Sequence, residues 1–414
     1  MGISRRSFIG FGAAAAICRR TLSAEGSARG VPERNRRPYA DLDWSKIKQI
    51  KTTSHGHCTH QKMLDKFLAR NFEFLTISNY YPSAPTCPGK TFRKFHYHVH
   101  HDWPVCVKGK WIDGPFDWNR IVEPWKDEIH KWHKKDYPFK EGEPLFPNWP
   151  DGMLEAPNAE HHNFIDPVTN RGVDGLHMCA PGSTFRSGTI DAHGIYGTTR
   201  RGYCSGLHER WGIALPKIFN QLVIPTGGGV TINHPRWTGL DFDVMERLLD
   251  FDPRVLGIEV YNFSSGKRKD FPYSDYWSLD YWDHALSGGR QCFGFSVPDW
   301  DPSRGVNVLC VEELSLKACL ESYRQGNFYG AVFGDVARFT RIAFDGTLFV
   351  VMTDQPCTFA LHSRKGIVAT KKRATEFRWE LPAGQAIDHV FLRLMAYPEA
   401  NIDEVLFTQP QMLV

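Results

Sequence analysis

No Cys-x-x-Cys pair occurs among the ten cysteines, which excludes a zinc ribbon and leaves no motif for redox chemistry. No apolar run is long enough to cross a bilayer, so no stable membrane span is expected. Neither sign of charge dominates. The 50 Lys and Arg face 46 Asp and Glu, mixed along the chain, and the net charge is only +4. Several of the positive charges fall near the N-terminus and between Arg29 and Arg37, so nothing forms a nucleic-acid track or a membrane-surface patch. What is present in quantity is histidine and tryptophan, 18 and 13 residues, concentrated in the first three hundred positions. Imidazoles in that number turn attention to metal chemistry.

The N-terminal residues read as an address. Ser4-Arg5-Arg6-Ser7-Phe8-Ile9 is a twin-arginine signature, followed by a short apolar run from Phe8 to Cys18 and small residues around Ser23-Ala24. Such a segment is a removable export signal over 1–24, not part of the fold. It implies the twin-arginine export machinery as a partner, a periplasmic or secreted location, and a protein that loads its metal before crossing. Cys18 follows Ile17, which makes a poor lipid-anchor site.

About 390 residues then remain, enough for one large domain and a small one. Residues 25–44 read as a linker. A strand over Ile47 to Thr53, a short helix over Gln61 to Arg70 and a strand over Glu73 to Ser78 give a β-α-β opening, which implies parallel strands with chemistry at their C-terminal ends. Residues 82–158 differ in kind, being rich in Pro, Trp, His and Lys, and read as a long insertion above the mouth of the fold. Apolar runs resume at Ala159 to Phe164, Gly175 to Ala180, Gly227 to Asn233, Val255 to Tyr261 and Gln291 to Val297, with helices between. After Gly330 the texture becomes alternating short strands with turn residues, which predicts a small β-sandwich over 331–414.

His55-Gly-His57 ends the first strand. Two imidazoles two apart on an extended segment point the same way and can bind one ion. Glu160-His161-His162, His177, His234-Pro235 and Asp299-Trp300-Asp301 each stand at a strand end or the loop after it. On these landmarks, together with Pro157-Asn-Ala-Glu160, Gly257 to Asn262 and Gly294 to Asp301, the chain resembles the PHP family, polymerase and histidinol phosphatase domains. More narrowly it is similar to exported PHP-like hydrolases with a C-terminal β-sandwich. The resemblance spans residues 45–414. It implies an α/β fold, a distorted seven-stranded β/α barrel over 45–330, with divalent zinc, manganese or iron at the strand ends. It also implies that His55, His57 and Asp299 serve one ion, that Glu160 bridges, and that His177 and His234 serve a second. A water activated between two such ions attacks a phosphoester or a related ester.

The chain departs from that pattern in two places. Where the family has Thr-Asp-His after the second strand, this chain has Ser78-Asn79-Tyr80, and where the family ends on Asp-x-His, this chain has Asp299-x-Asp301. Both departures fall on a third metal position, so one or two ions are expected. They also leave open a second reading, a non-catalytic protein with a degenerate metal site that recognises a glycan or another protein.

Other residues compete for roles. His193, within Asp191-Ala-His193, is the candidate proton donor to the leaving group. Arg236, directly after His234-Pro235, is the best placed of Arg186, Arg200, Arg201 and Arg236 to hold an anion. His96, His98, His100 and His101 read as a solvated loop. Glu259 reads as a buried structural carboxylate or a partner to a ligand. Cys58 and Cys179 read as packing. A small-molecule or sugar-like substrate, stacked on aromatic rings, fits the tryptophan-rich insertion.

Overall fold

The computed structural model describes residues 34–79, 89–91, 105–107, 110–112, 144–162, 164–173, 175–185, 190–191, 203–204, 209–267, 275–401 and 403–414. Residues 1–24, read above as an export signal, most of residues 82–158, Tyr80, Arg186, His193, Arg200 and Arg201 lie outside the described residues.

In chain order the elements that build the site begin with β1 (Lys48–Thr52), α1 (Gln61–Ala69) and β2 (Phe74–Leu75). The short strands β3 (Leu154–Glu155), β4 (Glu160–His161) and β5 (Met178–Cys179) follow, then α2 (Trp211–Asn220). Next come β6 (Val230–Ile232), α3 (Pro235–Thr238), α4 (Phe242–Phe251), β7 (Val255–Asn262), α5 (Leu279–Ser287) and β8 (Phe293–Val297). The chain continues through β9 (Val306–Val311), α6 (Leu316–Gln325) and β10 (Phe328–Ala331).

This is a mixed α/β structure, and among the described residues the strands pair in separate sheets and not as one seven-stranded ring. A five-stranded sheet runs β8-β7-β6-β5-β4, in which β6, β7 and β8 are parallel and β5 and β4 are antiparallel additions. The parallel part is where the helical crossovers of α4 and α5 lie, as parallel pairing requires. β1 instead pairs antiparallel with β9, and β9 with β10. That sheet of nine strands continues through the long strands Leu348–Ser363 and Gly366–Glu380 and Phe391–Pro398. The C-terminal strands read as a sandwich therefore extend the sheet that holds β1, and position 330 falls inside β10.

β9 shows why the two sheets pack as one body. Val306, Val308 and Cys310 enter one core beside Met63, Leu64 and Phe67 of α1, while Leu309 and Val311 enter another beside Phe293, Phe295 and Val297 of β8. Alternation along a strand sends both sets of side chains inward, so its sequence VNVLCV reads as continuously buried. A third core of Met178, Ile232, Ile258 and Val260 packs against Trp211, Leu248 and Trp282 from α2, α4 and α5.

Two of the helices, α4 and α6, start at side-chain caps. Asp241 accepts from Asp243 N at 2.7 Å and Ser315 from Ala318 N at 3.2 Å, each satisfying an orphan first-turn donor. Arg247 of α4 makes a bidentate pair with buried Asp166 at 2.7 and 2.8 Å. Those bonds, more than any other cause, pull the Asp166 carboxyl down to about 2. A depressed folded value means that the stability it contributes is present above the ordinary carboxyl range and is lost as pH falls through about 4 towards 2. Asp166→Asn is expected to cost about 1.5–3 kcal/mol at neutral pH. Chemical denaturation at pH 7 and pH 3 checks this, since the difference between the two proteins should shrink in acid.

Candidate metal centre

Six loops or strand ends deliver the site. β1 ends at Thr52, and Thr53-Ser54 lead into His55-Gly56-His57. Gly56 fits a narrow place, since a Cβ there would lie 3.0 Å from the side chains of Phe67 and Thr53. The turn is held by the segment after β2. Gly56 N donates to Ser78 Oγ and Ser78 N donates to Gly56 O, both at 3.0 Å. Asn79 then closes the clamp on the residue after His57, accepting from Cys58 N and donating to Cys58 O, both at 2.8 Å.

Asn79 is therefore a structural side chain with both ends engaged. Asn79→Ala orphans a buried N–H and C=O, at about 1–3 kcal/mol for each group. Asn79→Asp fails to rescue it, because a carboxylate then faces the Cys58 carbonyl. Thermal unfolding of the two variants, both expected below the wild type, checks this directly.

Asp299 comes from the loop after β8 and zips onto the same turn. Its N–H donates to His55 O at 3.2 Å and its carbonyl accepts from His57 N at 2.8 Å. Both Asp299 and His234 have left-handed backbone, with φ of 58° and 28°, a conformation that costs a non-glycine residue on the order of 1 kcal/mol. His234 is held in it by the bond from its N–H to Glu259 Oε2 at 2.8 Å. Pro235 then opens α3 at the first helical position, where its missing N–H costs nothing. Asn158 ties the remaining strand ends, donating to Ser54 O and Thr76 O and accepting from Ala159 N and Ala180 N.

The side chains so placed converge. His55 Nε2 and His57 Nε2 are 3.3 Å apart, and Glu160 Oε2 lies 3.1 and 2.9 Å from them. Asp299 Oδ1 lies 3.3 and 3.4 Å from the same two nitrogens. A tetrahedral ion with ligands at about 2.0–2.1 Å has ligand–ligand edges of about 3.3–3.4 Å. Three of these distances match such edges, and the two from Glu160, at 3.1 and 2.9 Å, are shorter. The other oxygen of Glu160 faces a second group, at 2.8 Å from His177 Nδ1 and 3.5 Å from His234 Nε2. The triads His55-His57-Asp299 and Glu160-His177-His234 could each hold an ion, with Glu160 reaching both.

The electrostatics suit a cation. Glu160, Glu259 and Asp299 stand within a nest of imidazoles, and all three are buried. Burial opposes a charge on His55, but Cys179, Glu160, Asp299 and Glu259 together outweigh it and push its pKa well above the ordinary value. Burial likewise opposes ionisation of Glu160, yet His55 and His177 hold it well below the usual carboxylate range. Glu259 accepts from His55 Nδ1 at 2.7 Å, which leaves Nε2 as the donor atom for an ion. Asn262 joins Glu259 to Asp299, at 2.9 and 3.2 Å.

The six residues expected to hold metal lie in one place, and Glu259 bonds His55 beside them while itself forming a possible ligand group with His55 and His234. His162 lies on the side of His177, 5.5 Å between rings, while His161 packs on Phe185. Arg236 is drawn away to carboxylates, donating to Asp280 Oδ2 at 2.6 Å with Asp275 3.5 Å from Nε. Asp301 is paired with Lys267 and accepts from Ser303 N at 3.1 Å, and it is not among the clustered ligands. Cys58 and Cys179 are buried free thiols whose pKa burial raises, consistent with packing. Two contacts had no signal in the sequence. Trp300 stacks on His57, 4.0 Å between centroids and 17° between planes, and Trp237 meets His234 edge-on at 4.5 Å.

No protein-family model and no curated protein matches the chain. A solved structure is similar to it. That structure, from Bacteroides vulgatus, is a two-domain protein containing a predicted PHP-like metal-dependent phosphoesterase. It shares 13% identity over 85% of this chain and 90% of its own, with a TM-score of 0.36.

Proposed function

We propose that this chain is a metal-dependent hydrolase acting on a phosphoester or a related ester, with one or two divalent ions of zinc, manganese or iron. The observation that carries the reading is the shared carboxylate. Glu160 presents Oε2 to His55 and His57 and Oε1 to His177 and His234. His55, His57, Asp299 and Glu160 would hold the first ion, and Glu160, His177 and His234 the second. Ions held there supply acidified water and a polarised ester oxygen at neutral pH.

The chain's own residues do the rest. Glu259 fixes the ring of His55, and the bonds between Asp299 and the His55-Gly56-His57 turn keep three donors in one orientation. His177 is the most exposed imidazole of the cluster, which leaves substrate an approach from its side. His193 remains the candidate for protonating the leaving group. Export by the twin-arginine route and a periplasmic location belong to the same proposal, on the strength of Ser4 to Ile9.

The test is turnover of phosphomonoesters, phosphodiesters and carbamate esters by protein incubated with zinc, manganese or iron(II). Metal-dependent hydrolysis that His57→Ala abolishes is the expected result. Metal binding without turnover of any of these esters would contradict it and leave a binding protein.

A further inference from the structure

Beside the ligand cluster lies a cleft of roughly 390 Å³ that shares His234 and Asp299 with it. Two indoles line this cleft, and each rests on a different ligand. Trp300 covers His57 of the first triad, and Trp237 meets His234 of the second. Trp300 nonetheless keeps 43% of its surface exposed. The polar groups around them are largely committed. Ser264 Oγ donates to Pro298 O and accepts from Trp300 N, both at 2.9 Å. Ser265 Oγ is bonded to Asn262 O and Asp275 O at 2.9 and 2.6 Å. Among the described residues lining the cleft, Lys267 is the one cation, exposed and paired with Asp301 at the surface.

We propose that this cleft makes the enzyme selective for anionic esters bearing a flat aromatic group, with Trp300 as the stacking platform and Lys267 as the anion-binding side chain. This rests on the hydrolase reading above. The chemistry follows from what the walls offer. Aromatic faces reward a flat ring through stacking, and serine hydroxyls already bonded to backbone carbonyls have little to give a polyol. The Lys267 ammonium also lies 4.1 Å from the centroid of the Phe263 ring, and exchanging its exposed pair with Asp301 for a phosphoryl oxygen costs little, because such a pair is worth only a fraction of a kcal/mol to about one. Its position in the cleft would orient the ester so that its reacting centre faces His234 and Asp299 and its ring lies on Trp300.

The test is calorimetric binding of the non-hydrolysable analogues phenylphosphonate, methylphosphonate and the phosphonate analogue of glucose 1-phosphate, and of inorganic phosphate, to the full metal-loaded chain. Wild type is expected to bind phenylphosphonate roughly tenfold more tightly than the other three, the increment of one good aromatic stack. Trp300→Ala should erase that preference, Trp300→Phe should restore most of it, and Lys267→Gln should weaken all four ligands alike. Metal content, measured on each variant, separates loss of stacking from disturbance of His57. Equal binding of phenyl- and methylphosphonate by metal-loaded wild type would overturn the aromatic selectivity, and tighter binding of the glucose 1-phosphate analogue would replace it with a sugar site. Either result leaves the hydrolase reading standing, whereas wild type that takes up no metal defeats that reading instead.

Discussion

Glu160→Gln is expected to weaken divalent-metal binding by more than about a hundredfold, because even a partner outside the ligand sphere is typically worth 10–100-fold. The reason is specific to this residue. Its two oxygens face different triads, at 2.9–3.1 Å from His55 and His57 and at 2.8 Å from His177. An amide keeps one oxygen and turns an N–H₂ toward the other group, so one triad loses an acceptor and both lose the negative charge that offsets repulsion between two cations. Isothermal titration with zinc and with manganese checks the prediction, and circular dichroism controls for folding. Unchanged affinity would mean that the two triads act without Glu160.

The second large effect is expected from Glu259→Ala. Glu259 sits on the Nδ1 side of the His55 ring, away from the nitrogen that faces His57, and accepts from three donors: His55 Nδ1, His234 N and Asn262 Nδ2. Its loss leaves buried N–H groups without an acceptor, a cost on the order of 2–4 kcal/mol in all. It also frees the ring of His55 and the left-handed backbone of His234, so metal affinity should fall by about 10–100-fold. Glu259→Gln should rescue only partly. All three partners are donors, and the amide nitrogen of Gln sets a donor against one of them. Thermal unfolding and metal titration of both variants give the ordering wild type, Gln, Ala; an alanine variant equal to wild type in both would refute the role.

The candidate ligands were legible in the sequence because each stands at a local boundary. His55 and His57 follow a strand, His234 precedes a proline that opens a helix, and Asp299 follows a buried apolar run. Short-range pattern marks such places well. The pairing of the strands that carry them was not legible. β1 joins β9, more than 250 residues away, in antiparallel register, and nothing local distinguishes that partner from the parallel neighbour that a β-α-β opening suggests. The same holds for Asn79. Its residue type invited comparison with a ligand, whereas its bonds to Cys58, 21 positions earlier, are set by how two loops pack. Arg236 follows a ligand in sequence yet turns to Asp280, 44 residues on. Trp300 and Trp237 gained their places from stacking on imidazoles, which composition alone does not locate.

The most direct measurement is the metal content of the full chain, by elemental analysis, beside His55→Ala. His55 belongs to the triad with His57 and Asp299 and also to a third possible grouping with His234 and Glu259, so its loss reaches further than that of His57 or His177. One or two equivalents of zinc, manganese or iron per chain, lost in the variant, is the expected result. A wild-type chain that holds no divalent ion, even after incubation with each of the three, would contradict the account.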